Sequence, residues 1–171
     1  MDLDRLSNGE KIAGVSAILL FVFTFFDWYG LGDSEQSAGL LMYFRPLESG
    51  GNAWQTLELT PIFLALVTFA TVWVLLLRLG DSDWEPAVQP DAVILGLGVL
   101  AALMILIRII FPPDLAGDFY ALTFEAILKD GIFLAFAAAC GITFGGCLAM
   151  REASASFADL RGATRRSSRA W

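Results

Sequence analysis

Four stretches of the chain, Ile12 to Phe26, Ile62 to Leu77, Ala92 to Ile107 and Ile132 to Met150, carry no charged residue and are dense in Leu, Ile, Val, Phe and Ala. With their flanks they reach about 18 to 22 residues, and at about 1.5 Å of rise per residue each crosses a hydrocarbon layer of about 30 Å. Helices satisfy their own backbone groups in lipid, so the pattern predicts an all-α fold. The expected architecture is an up-down four-helix transmembrane bundle with spans at about residues 10–29, 60–79, 91–111 and 131–150.

The polar punctuation supports these bounds. Ser7-Asn8-Gly9-Glu10 fits a capping box at the start of the first span, with Ser7 accepting from the backbone and Glu10 reaching back. Trp28 and Tyr29 suit a water–lipid interface at its end, and Gly30 suits a helix stop. Thr60-Pro61 opens the second span, which closes at Arg78 and Gly80, where Arg78 can snorkel to the headgroups. Pro112-Pro113 ends the third, because neither proline donates a backbone hydrogen bond. In the second outer loop Leu115, Phe119, Leu122 and Ala126 recur at helical spacing beside Asp114, Asp118 and Glu125, which predicts a short interfacial helix.

Composition agrees with membrane residence: 57% of the 171 residues are hydrophobic, 17% are charged, and the mean hydropathy is +0.66. Short loops leave no room for a separate soluble catalytic or nucleic-acid-binding domain, so residues 1–152 read as one membrane domain. Residues 153–171 read as a flexible basic tail able to lie against anionic lipid headgroups. The net charge is −7, but its distribution matters more. Arg5, Lys11, Arg78, Arg151, Arg161, Arg165, Arg166 and Arg169 fall on one side of the map, and Arg45, Arg108 and Lys129 on the other. The positive-inside bias therefore predicts a multi-pass plasma-membrane protein with cytoplasmic N and C termini. The leader before Ile12 holds Asp2, Asp4 and Glu10 against Arg5 and Lys11, and Phe26-Asp27-Trp28 is no small-residue cleavage site, so the first apolar run is expected to remain as a helix.

Few residues offer chemistry. Histidine is absent, and Cys140 and Cys147 lie seven residues apart on one helix face, about 10 Å from each other and too far for a disulfide. They read as small packing residues. No nucleophile–base pair, metal-ligand cluster or phosphate-cradling glycine loop is present in the sequence, so no enzyme, cofactor or metal site is expected. Thr24, Thr68, Thr71, Thr143 and Ser16 lie within spans, where hydroxyls bond to their own helix backbone. Arg108, flanked by Ile107, Ile109 and Ile110, needs a partner or water. Asp27, at the same end of the first span, is its candidate partner in an ion pair near the outer mouth, with Asp114 and Glu58 as competitors.

The fourth span carries Ala137, Gly141, Gly145 and Ala149 at i, i+4 spacing, a stripe that lets another helix approach closely. The neighbour is expected within the chain, with Gly98 and Ala102 of the third span as a complementary surface, or in a second copy or a different membrane protein.

Taken together, Gly9-Glu10, Trp28-Tyr29-Gly30, Ala53-Trp54-Gln55, Arg108 with Pro112-Pro113, and Gly145-Gly146 through Ala149-Met150-Arg151 resemble a group of four-span membrane proteins of unknown function common in actinobacteria. Where members often carry proline before the tryptophan, this chain has Asp27. The resemblance runs from Ser7 to Glu152 and implies a bacterial plasma-membrane location and the four-span fold, without an activity. A claudin-like outer loop is excluded by the missing cysteine pair. The functional expectation is a non-enzymatic accessory or structural membrane protein packing through the small-residue face of the fourth span. The second reading is a small channel, carrier or ligand-binding protein with Asp27 and Arg108 at its mouth.

Overall fold

The computed structural model describes residues 6–31, 51–57, 59–80, 89–112 and 126–167, with the backbone alone for residues 31, 126, 127 and 155–167. In chain order these form α1 (Asn8–Phe23), β1 (Asp27–Leu31), β2 (Gly51–Asn52), α2 (Ala53–Thr56), α3 (Thr60–Leu79), α4 (Pro90–Ile110), β3 (Ala126–Leu128) and α5 (Asp130–Ser167). Among the described residues, three helices are long and apolar enough to cross a membrane: α3, α4 and the Asp130–Ser154 part of α5. The fold is mostly helical, as expected, with a small sheet that the hydrophobic pattern does not predict.

α1 begins where the sequence predicts. The Ser7 hydroxyl accepts from the Glu10 amide at 3.2 Å, and the Glu10 carboxylate accepts from the Ser7 amide at 2.8 Å. Its end differs, because the helix stops at Phe23, six residues short of the predicted bound. The amides of Thr24, Phe25 and Phe26 donate to the carbonyls three residues back, and the Thr24 hydroxyl and Trp28 indole take the Phe21 and Phe23 carbonyls at 2.6 and 2.8 Å. The last carbonyls are thereby satisfied without continuing the helix. The chain then enters β1.

The sheet has the order β2-β1-β3 with both pairs antiparallel. Tyr29 faces Leu128, and Gly30 faces Ile127, in the β1–β3 register. Trp28 and Tyr29 are fully buried in the core and are not interfacial anchors. β3 also replaces the part of the predicted interfacial helix that is described, since Ala126–Leu128 is extended and pairs with β1; residues 113–125 lie outside the described residues. Strand pairing wins here because β1 supplies unpaired backbone groups that a lone interfacial helix cannot use.

α1 and α4 run toward the sheet, while α3 and α5 run away from it. α5 lies against α1 and α4, and α3 closes the ring between those two. Close approach depends on glycine at the α1–α5 crossing, where a Cβ added to Gly145 would meet the Ala13 amide and the Gly9 carbonyl at 2.6 Å. At the α4–α5 crossing a Cβ on Gly98 would meet the Thr143 amide, also at 2.6 Å. The backbone of α5 remains helical to Ser167, through the segment whose composition suggests a flexible tail.

Candidate functional site

Polar side chains gather at the two ends of the bundle. At the end away from the sheet, Glu10 in the first turn of α1, Arg78 in the last turn of α3 and Asp91 in the first turn of α4 converge. One guanidinium nitrogen of Arg78 lies 2.7 Å from Glu10 Oε1 and the other 3.0 Å from Asp91 Oδ1. Both acids are buried, whereas the Arg78 side chain is 37% exposed. Among the described residues, those two carboxylate oxygens have no hydrogen-bond partner apart from this ion-pair contact. The remaining Glu10 oxygen is committed to the Ser7 amide.

The arrangement is a fork. A planar guanidinium presents its nitrogens in a fixed geometry, so one side chain holds two carboxylates from two other helices. Each carboxylate also sits at a helix N-terminus, and Arg78 sits at a C-terminus, the favourable placement for the three helix dipoles. Arg78 therefore turns into the bundle, where the sequence suggested snorkelling alone. The sequence did carry a signal for the site: in an up-down bundle the start of α1, the end of α3 and the start of α4 share one end, and each bears a charge of the sign its helix end favours.

At the sheet end, Arg108 donates from Nε to the Thr60 hydroxyl at 3.0 Å, joining α4 to the start of α3. The Arg108 carbonyl, an orphan acceptor in the last turn of α4, accepts the Tyr29 hydroxyl at 3.0 Å. Burial pushes the Tyr29 phenol up to about 12, with the Arg108 charge pulling in the opposite direction. Thr60 is the first residue of α3, with its hydroxyl serving Arg108 and no side-chain cap on the helix. Asp27 approaches Lys129 at 3.9 Å, an exposed pair of small energetic weight. Glu58 and Asp114, the other partners suggested for Arg108, lie outside the described residues.

The small-residue stripe divides. Gly145 and Ala149 are buried and Gly141 is half-buried, and all three meet α1 at Ala13, Gly9 and Ser16. Ala137 is exposed. Gly98 opposes Thr143, beside the stripe. Cys140 and Cys147 face outward as free thiols and so do not pack in the core. Between the two ends, the hydroxyls of Thr71 and Thr143 donate to their own helices at Val67 and Ala139, while Thr68 donates across to the Ala17 carbonyl at 3.2 Å. No group of three or more His, Cys, Asp or Glu side chains that could hold a metal occurs among the described residues.

With its three apolar helices the chain is compatible with a multi-pass membrane protein. Comparison with protein-family models, with curated proteins and with solved structures finds no match for it.

Proposed function

We propose that the chain is a four-span plasma-membrane protein with both termini cytoplasmic, acting as a non-enzymatic accessory or structural subunit. α1 serves as the first span. Its 16 residues rise about 24 Å, and Phe25 and Phe26 extend its apolar surface beyond the helix. The observation that carries the reading is the lateral surface. Val15, Ile18 and Val22 of α1, Leu66 and Phe69 of α3, Leu100 and Leu103 of α4, and Phe133 and Phe144 of α5 are all exposed, while charge collects at the two ends. Such a girdle is costly in water and favourable in lipid. A pore or carrier would instead need a set of uncommitted polar groups at mid-depth; the hydroxyls of Thr68, Thr71 and Thr143 are committed to carbonyls, and that of Ser16 lies against Gly141 in the α1–α5 contact.

Because Gly141, Gly145 and Ala149 pack on α1, a partner would meet the exposed side of α5 around Ala137 and not the whole stripe. The test is gentle extraction from native membranes, followed by the mass of the complex and identification of co-purifying proteins. A stable foreign partner supports the accessory reading. A lone, monodisperse monomer that conducts ions or solutes when reconstituted overturns it. Cysteine accessibility at engineered positions near both ends gives the orientation.

A further inference from the structure

α1 and α3 touch where a Cβ on Gly14 would meet Leu75 and where Thr68 reaches Ala17, and an open groove lies on the sheet side of those contacts. Phe21 of α1, Trp54 of α2 and Ile62, Ala65, Leu66 and Phe69 of α3 line it, with Thr68 and Val72 completing a volume of about 570 Å³. Trp54 is fixed in place: its indole donates to the Thr24 hydroxyl at 3.0 Å and its ring stacks on Phe25 with centroids 5.8 Å apart. Ile62, Leu66 and Phe69 are exposed, Ala65 is half-buried and Thr68 is buried, so the groove deepens toward the α1–α3 contact.

We propose that this groove holds one acyl chain of a phospholipid from the leaflet on the sheet side. The proposal rests on the membrane reading above. The groove runs along α3 from Ile62 to Val72, about 15 Å at helical rise, which is the depth of half a hydrocarbon layer of about 30 Å. Water does not fit it chemically, because the one hydroxyl in its lining is engaged by Ala17 and a water needs two or more polar partners. A partner helix does not fit sterically. Close helix contacts in lipid use small residues, and here Ala65 and the buried Thr68 are outnumbered by Phe21, Trp54, Ile62, Leu66, Phe69 and Val72. A second copy would also need about 1,000 Å² of buried surface, far more than a groove of this length supplies. Left empty, the lining would lose its dispersion contacts on one side. A flexible hydrocarbon chain matches the length and the apolar lining and restores those contacts.

The experiment reconstitutes the full chain in phosphatidylcholine vesicles doped with a phosphatidylcholine bearing a mid-chain diazirine, irradiates it and maps labelled peptides. Labelling of residues 62–69 is expected several-fold above that of Leu100 and Leu103, which sit on the exposed face of α4. In Ala65→Trp, and in the milder Ala65→Leu, the excess falls to the α4 level while Leu100 and Leu103 keep theirs. Equal labelling of both regions in the unaltered chain overturns the groove and leaves the membrane reading intact. An undiminished excess in both variants, checked for helical content, also overturns it. Absence of label on every helix overturns the membrane reading together with the groove.

Discussion

Replacing Arg78 by Gln should destabilise the bundle more than any other single change at its charged ends. The substitution keeps a polar, hydrogen-bonding side chain but shortens it and removes the charge between Glu10 and Asp91. Two carboxylates, 2% and 6% exposed at the side chain, are then left facing each other without a cation. Breaking a buried ion pair costs about 3–5 kcal/mol, chiefly from the charge left behind. Arg78 is 37% exposed and water can reach its position, which places the expected loss nearer about 3 kcal/mol. The loss is expected to have a particular dependence on charge. Arg78→Lys retains the charge but cannot fork to two helices, so it should fall between the wild type and Arg78→Gln. The triple variant Glu10→Gln, Arg78→Gln, Asp91→Asn removes every charge and should recover most of the stability lost by the single change, because no ion remains buried. The assay is reversible unfolding in mild detergent, read by circular dichroism and by protease susceptibility of the α3–α4 connection. An Arg78→Gln protein within about 0.5 kcal/mol of wild type, the range of an ordinary surface substitution, would refute the reasoning. So would a triple variant no more stable than the single one.

Gly145→Leu should cost at least about 3 kcal/mol, because the new side chain meets the Ala13 and Gly9 backbone where neither helix can yield cheaply; Ala137→Leu, on the exposed side of the same helix, should be near neutral in the unfolding assay and reduce only partner binding. Tyr29→Phe should cost about 1 kcal/mol through the lost hydrogen bond to the Arg108 carbonyl. The raised Tyr29 phenol also gives a pH effect of definite sign. Between its ordinary 10.0 and about 12 the unfolded chain releases the proton first, so stability is full below pH 10 and declines as pH rises toward 12, by at most about 3 kcal/mol. Melting curves of wild type and Tyr29→Phe should cross between pH 10 and 12, with the wild type the more stable below the crossing and the less stable above it. Thr68→Val should cost about 0.6 kcal/mol, the usual weight of a hydrogen bond between helices in lipid, and a loss above about 2 kcal/mol would mean that the α1–α3 contact depends on more than this bond.

The apolar runs by themselves determined the helices. A long stretch without charge must hide its backbone groups, and α3 and α4 match the predicted 60–79 and 91–111 to within one residue at each end. The capping box at Ser7 and Glu10 was equally legible, because both partners lie within four residues of each other. The small stripe was visible as spacing, but spacing has no partner in it: only the tertiary structure decided that Gly141, Gly145 and Ala149 face α1 while Ala137 faces outward. The end of α1 was also a tertiary decision. Trp28 and Tyr29 look alike as interfacial anchors or as core, and they became core because β1 found its strand partners at residues 51–52 and 126–128, far along the chain. The fork at Arg78 joins residues 10, 78 and 91, and Arg108 found Thr60, 48 positions away. Periodicity reports which face of an element is apolar. Which polar groups meet at the ends depends on how the helices are ordered around the ring, and that is settled by packing.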